Sequence, residues 1–211
     1  MLACVGVWPI KLIESTGIHK ILIQNYSKDP FEVVCDARTQ GGGWTIILRR
    51  TDGSVNFERD WNSYKKGFGD LNNEFILGLD KIHALTAKET QELLVILEDF
   101  NGDERYERYN RFGIGDEDEK YILHTLGTES GSAGDSLRHQ QGMKFATVDR
   151  DYKNCAKHIT GGWWYNGCVE SHLTGKYKDN TLNKGITWDA FKGPNYSLKR
   201  AIMMIRPKSK F

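Results

Sequence analysis

Long apolar runs are absent from this 211-residue chain. No stretch approaches the roughly 20 residues an α-helix needs to span a bilayer, so the sequence predicts no membrane span. A surplus of charge is absent too: 29 basic residues stand against 28 acidic ones, for a net +1. That balance offers no broad electrostatic attraction to phosphate backbones or anionic membranes, and nucleic acid is excluded as an expected partner. Proline is scarce, at 4 residues, while glycine reaches 22 and aromatics 11%. This composition argues for a turn-rich globular protein rather than a helical bundle or a disordered tail. The start, Met1 to Pro9, lacks both a basic n-region and a full apolar h-region, so it does not read as a signal peptide. Internal repeats, low-complexity tracts and linker-like stretches are missing, as is any coiled coil or collagen-like stalk, so oligomerisation is not encoded in the chain.

What is present fits one domain with a real core. Four cysteines, Cys4, Cys35, Cys155 and Cys168, form an even set in two well-separated pairs, which suits an oxidising, extracellular compartment. The sequons at Asn25 and Asn195 are usable in a secreted protein. Runs at Ile18–Ile23, Phe31–Cys35, Trp44–Leu48, Leu93–Leu97, Tyr106–Phe112 and Tyr121–Leu126 are rich in β-branched and aromatic residues and bounded by turn residues, and they predict strands. Phe75, Leu79, Ile82 and Leu85 recur at helical spacing and predict one amphipathic helix. From about Gly127 to Ser197 the pattern is irregular and dense in Gly, Asn and aromatics, before Ala201–Ile205 supplies a closing buried strand. The expected class is α+β. The expected organisation is an N-terminal part over residues 1–44, a central sheet over 45–126 plus 198–211, and a loop-rich binding part over 127–197.

Order and spacing of rare residues carry a resemblance. Cys35-Asp36, Gly41-Gly-Gly-Trp44, Arg49-Arg50, Asp52-Gly-Ser54, Asp60-Trp61 and the run Tyr64 to Phe75 resemble the fibrinogen C-terminal domain family. So do Asn154-Cys-Ala156, Gly161-Gly-Trp-Trp-Tyr-Asn166, Cys168 and the stretch from Tyr196 to Pro207. The resemblance covers essentially the whole chain, and Phe191 to Lys199 looks most like angiopoietin-type members. It implies a mostly antiparallel sheet with few short helices, no catalysis, and disulfides Cys4–Cys35 and Cys155–Cys168. A rival reading of the second pair is zinc held by Cys155, His158, Cys168 and His172, although thiols in an exported chain normally oxidise.

The resemblance further implies calcium at Asp149 and Asp151, since hard oxygen ligands suit an ion that takes 6–8 of them. Only Tyr152, Lys153 and Asn154 separate Asp151 from Cys155, a loop shorter than the family's and carrying a cation, so the expectation is weak binding or plain turn aspartates. In lectin-type members an acetyl pocket lies beside the second cysteine pair, near a strained peptide bond that here would be Gly167–Cys168. Matched by offset, its polar and aromatic contacts become Ile159, Val169 and Leu182-Asn183, and Trp164 stays, with core packing as its first duty. Sugar recognition needs hydroxyl or imidazole partners, which three aliphatics do not supply. The expected function is therefore a secreted module that binds an extracellular protein through residues 127–197, with Ile159, Val169 and Leu182 either forming a small apolar patch or simply filling a gap in the core. The alternative is an innate-immune lectin binding acetylated glycans with calcium support. A metal-dependent enzyme built on the Cys/His set is the third reading. Asp99 to Glu104 lacks glycine at the sixth position and the closing glutamate of an EF-hand, and Asp116–Glu119 reads as a solvated acidic turn.

Overall fold

The computed structural model describes residues 15–23, 26–152, 154–167 and 169–208. Its first strands are β1 (Gly17–Ile21), β2 (Phe31–Asp36) and β3 (Trp44–Arg50), followed by helix α1 (Trp61–Lys66), the two-residue strands β4 (Phe68–Gly69) and β5 (Phe75–Ile76), and helix α2 (Leu79–Lys88). The long strands β6 (Gln91–Glu98) and β7 (Glu104–Gly113) form a hairpin, and β8 (Thr125–Leu126) and β9 (Glu129–Gly131) lie along β7. Besides β9, the loop-rich part holds among the described residues a short 3-10 helix (Arg138–Gln140), α3 (Ala156–Ile159), β10 (Ser171–His172), β11 (Thr187–Trp188) and α4 (Asp189–Lys192). Strand β12 (Arg200–Pro207) then returns to the middle of the sheet.

That sheet has ten strands in the order β1-β2-β3-β12-β6-β7-β8, with β5 on β3, β4 on β5 and β9 on β7, all pairs being antiparallel. It draws in strands from each of the three expected parts of the chain. β12 sits between β3 and β6, and both Ala201–Ile205 and Leu93–Leu97 are buried, as expected of strands covered on two faces. The fold is α+β, as expected.

Two expectations are corrected. Tyr121 begins no strand: its φ is +46°, its hydroxyl donates to Asp80, and its ring packs on Trp61 at 5.4 Å, so only Thr125–Leu126 of that run pair as strand. Phe75 belongs to β5 rather than the helix, because Gly78 stops the run at φ +109° and a Cβ there would meet the Lys66 carbonyl oxygen at 2.5 Å. Helix α2 therefore starts at Leu79 and buries Leu79 and Ile82.

The loop-rich part is anchored by aromatic packing. Phe145 lies 6.5 Å from Trp61, 5.2 Å from Tyr64 and 5.3 Å from Trp164, ring centre to ring centre. Such pairs add about 0.5–1.5 kcal/mol each beyond their burial. Helix α1 presents Trp61 and Tyr64 to this cluster, and its start is fixed by the Asp60 carboxylate accepting from Ser63 N–H at 2.8 Å. Cys35, in β2, is disulfide-bonded; its expected partner Cys4 and the sequon residue Asn25 lie outside the described residues.

Candidate functional site: the loop face and an adjoining cleft

His172 organises the loop face. It is fully buried, with Nδ1–H donating to the Asn183 carbonyl at 3.0 Å and Nε2 3.3 Å from the Tyr165 hydroxyl, which in turn donates to the Gly161 carbonyl at 2.7 Å. One imidazole thus ties together the segments around residues 161, 165 and 183. Burial pushes its pKa down to about 4, so the ring is neutral at physiological pH. Both ring nitrogens are occupied by protein groups, which removes His172 from the zinc reading. Among the described residues no group of three or more His, Cys, Asp or Glu side chains is placed to hold a metal.

The residues matched to the acetyl pocket differ in burial. Ile159, at the end of α3, is 5% exposed and Val169 is 6% exposed; both belong to the core. Trp164 is buried with its indole N–H donating to the Tyr121 carbonyl at 2.8 Å. Leu182 alone faces solvent, at 59% exposure. The expected patch of three aliphatics is thereby corrected, because two of them fill the interior and cannot present a surface. Asn183 adopts φ +62°, and its side-chain oxygen is buried without a hydrogen-bond partner. Gly167 takes φ +62° on an exposed turn. Cys155 is buried at the start of α3; Cys168, and with it the expected bridge and the Gly167–Cys168 peptide bond, lies outside the described residues.

Asp149 and Asp151 occupy one turn, and each accepts hydrogen bonds from the chain. Asp149 Oδ1 accepts from Trp61 N–H at 3.0 Å and from the Thr147 hydroxyl at 2.7 Å, which adds a second acceptor at the start of α1. Asp151 Oδ2 accepts from Lys157 N–H at 3.1 Å, at the start of α3. Sequence reasoning missed this capping role because Asp149 and Trp61 are 88 positions apart. Carboxylate oxygens are the donor type calcium takes, 6–8 at a time.

Beside this face lies a cleft of about 580 Å³ between residues 53–58 and 174–184, within the usual range of ligand sites. A buried ion pair fixes both walls. Arg50 Nε stands 3.4 Å from Glu74 Oε1, and Arg50 Nη1 donates to the carbonyls of Leu173 at 3.0 Å and Gly175 at 2.7 Å. Glu74 accepts N–H groups on the other wall: Thr51 at 2.8 Å, Asp52 at 3.2 Å, Gly53 at 3.1 Å and Val55 at 3.1 Å. The Arg50 guanidinium also covers the Phe57 ring, 3.9 Å from its centre. The only sequence signal of this arrangement was the presence of Arg50 and Glu74 within motifs noted for resemblance, with no hint of their partnership.

The geometry is that of a recognition domain, with loops and a cleft displayed on a rigid sheet, and comparison with known proteins gives it a family. The profile described as "Fibrinogen beta and gamma chains, C-terminal globular domain" matches residues 11–208. The chain belongs to this family, whose domains are generally non-catalytic recognition modules. It is 45% identical over 206 residues to the Fibrinogen C domain-containing protein 1 of Macaca fascicularis, covering 92% of this chain and 47% of that protein. It is 50% identical over 184 residues to Ryncolin-4 of Cerberus rynchops, covering 83% and 53% respectively. The chain thus spans about half the length of the curated relatives it matches. Among solved structures, the fibrinogen-like globe domain of human ANGPTL2 superposes with a TM-score of 0.89 at 41% identity, covering 93% of this chain and 94% of that one. A lamprey fibrin D-dimer complexed with the peptide ligand Gly-His-Arg-Pro-amide gives 0.85 at 34% identity, covering 93% and 70%. No helix among the described residues is long and apolar enough to cross a membrane.

Proposed function

We propose that this chain is a non-catalytic, secreted recognition module that binds an extracellular protein through its loop-rich half. The observation that carries this reading is the division of the matched pocket residues: Ile159 and Val169 are spent on the core, and Leu182 is, among the described residues, the large hydrophobic side chain most exposed to solvent. An acetylated sugar would find no hydroxyl or imidazole at these positions, and polar groups buried without partners cost about 1–3 kcal/mol each. An apolar side chain raised on a fixed turn suits a protein contact instead. The lamprey relative, which carries a peptide ligand, supports the same direction.

Panning the folded chain against a random peptide display library should enrich peptides whose capture is lost in Leu182→Asp. That variant should fold normally, because the residue is exposed. A column of immobilised N-acetylglucosamine should fail to retain the protein, with or without calcium. Retention that free acetylated sugar elutes, or a library that enriches nothing, would overturn the reading.

Calcium belongs to the same proposal, with Asp149 and Asp151 as its side-chain ligands. An ion that binds only the native state stabilises it by mass action, so millimolar calcium should raise the melting temperature of the wild type and leave that of Asp149→Ala unmoved. The variant should also be less stable in chelator, by about 0.5–2 kcal/mol, because it loses an acceptor at the start of α1. The calcium-dependent increment is therefore the readout. A wild type indifferent to calcium would leave both aspartates as helix-start acceptors alone.

A further inference from the structure

The turn after α4 carries a sequon, Asn195-Tyr196-Ser197, that the recognition reading leaves unused. Its two defining side chains have opposite fates. Ser197 is buried, and its hydroxyl oxygen accepts the N–H groups of Lys178 at 3.1 Å and Ile186 at 3.2 Å, so the fold has its own use for that residue. Asn195 is exposed, and its side chain has no hydrogen-bond partner among the described residues. The backbone on either side is pinned. The Pro194 carbonyl accepts from Asn183 N–H at 2.9 Å, and Ser197 N–H donates to Asn180 Oδ1 at 2.8 Å. Asn195 therefore lies on the surface of a fixed turn and has no part in holding it. The same turn adjoins two exposed hydrophobic residues: the Tyr196 hydroxyl accepts from Phe100 N–H at 3.0 Å, and Asn183, bonded to Pro194, directly follows Leu182.

We propose that Asn195 is a site of N-linked glycosylation. The inference rests on the reading of the chain as secreted, which the disulfide at Cys35 supports. The co-reactant is an oligosaccharide carried on a polyprenyl diphosphate. The bond between its first sugar carbon and the diphosphate oxygen breaks, and that carbon bonds to Asn195 Nδ2. Nδ2 gives up one proton as the polyprenyl diphosphate leaves. The Ser197 hydroxyl that completes the sequon is buried and bonded in the fold, so transfer precedes closure of this loop. The closed loop then accommodates the product. Extending the Asn195 side chain breaks no protein contact, and a bulky, solubilising group suits an exposed position of this kind. There it borders Phe100 and Leu182, and a hydrophilic neighbour limits non-specific association through such exposed apolar groups.

The test is expression of the full chain behind a supplied export signal in insect cells, beside Asn195→Gln and Asn25→Gln. Protein from the medium and protein kept in the cells are both mapped. After release by peptide N-glycosidase, the tryptic peptide Gly193–Lys199 should carry aspartate at position 195, the mark left by a removed glycan. Before release, Asn195→Gln should run one glycan faster than the wild type on a denaturing gel, whatever the state of Asn25. An unmodified Gly193–Lys199 peptide from the wild type would overturn the inference, as would equal mobility of Asn195→Gln and the wild type. The secreted reading fails separately. A bare Asn195 with Cys35 still in its disulfide would leave that reading standing, whereas Cys35 recovered as a free thiol would count against it alone.

Discussion

Replacing Glu74 by glutamine is expected to destabilise the protein by about 3–5 kcal/mol, the cost of breaking a buried ion pair from one side. Glu74 is fully buried, and burial alone would raise its pKa. The charge of Arg50 and the N–H groups of Thr51, Val55 and Gly53 outweigh that effect and hold the carboxyl low, so it is ionised in the fold. A glutamine amide of the same shape turns one acceptor oxygen into a donor, facing either Arg50 or the N–H groups of residues 51–55. For a chain of this length such a loss corresponds to a fall in melting temperature of roughly 10 °C. The double variant Arg50→Met, Glu74→Leu separates two accounts. A simple buried ion pair replaced by apolar residues is often neutral or stabilising. Here the carboxylate also satisfies four backbone N–H groups, and Arg50 satisfies two carbonyls. The double variant should therefore stay destabilised in urea titration. Recovery to wild-type stability would show that the pair acts alone and that the loop N–H groups find other partners.

Much of the frame was legible in the sequence because it rests on local pattern. The β-branched runs at Phe31–Cys35, Leu93–Leu97 and Ala201–Ile205 became β2, β6 and β12, the last two buried along their length between neighbouring strands. Tyr121–Leu126 failed for a specific reason. Its aromatic and aliphatic letters fill the core from a turn held by positive φ and by the Tyr121–Asp80 hydrogen bond, and composition cannot distinguish that from a strand. The candidate site was harder to read, since its polar residues act across long sequence separations. Asp149 meets Trp61 at 88 positions, and Arg50 meets Gly175 at 125. Matching by offset picked out Ile159, Val169 and Leu182 but carried no information on which way each side chain turns. Burial divided them.

Acidification should expose two opposed proton linkages, and removing one should reveal the other. His172 titrates near 6.5 when unfolded and near 4 when folded, because burial disfavours its charged form. Between those values the unfolded chain binds more protons, so stability falls as pH drops from about 6.5 toward 4. Asp189 behaves inversely. Burial first, and then the nearby Glu170 carboxylate, push its pKa from the ordinary 3.8 up to about 6, and its Oδ1 is buried without a hydrogen-bond partner. The native state holds that proton more tightly, so Asp189 contributes stability below about 3.8 that is lost as pH rises through 6. On acidification the two slopes oppose each other from about pH 6 to 4, so the wild type should lose stability there less steeply than His172 alone would dictate. Asp189→Asn removes the ionised form that the site disfavours. It should be more stable than wild type at pH 7, by up to about 3 kcal/mol; on acidification that advantage disappears as wild-type Asp189 takes up its proton, while the variant's own stability falls because His172 is forced to accept one. Denaturant titrations of both proteins at intervals from pH 7 to 4 read the difference directly. Profiles that run parallel across the window would show that Asp189 carries no raised pKa, whereas a variant that loses no stability between about pH 6 and 5 would show that His172 is not depressed.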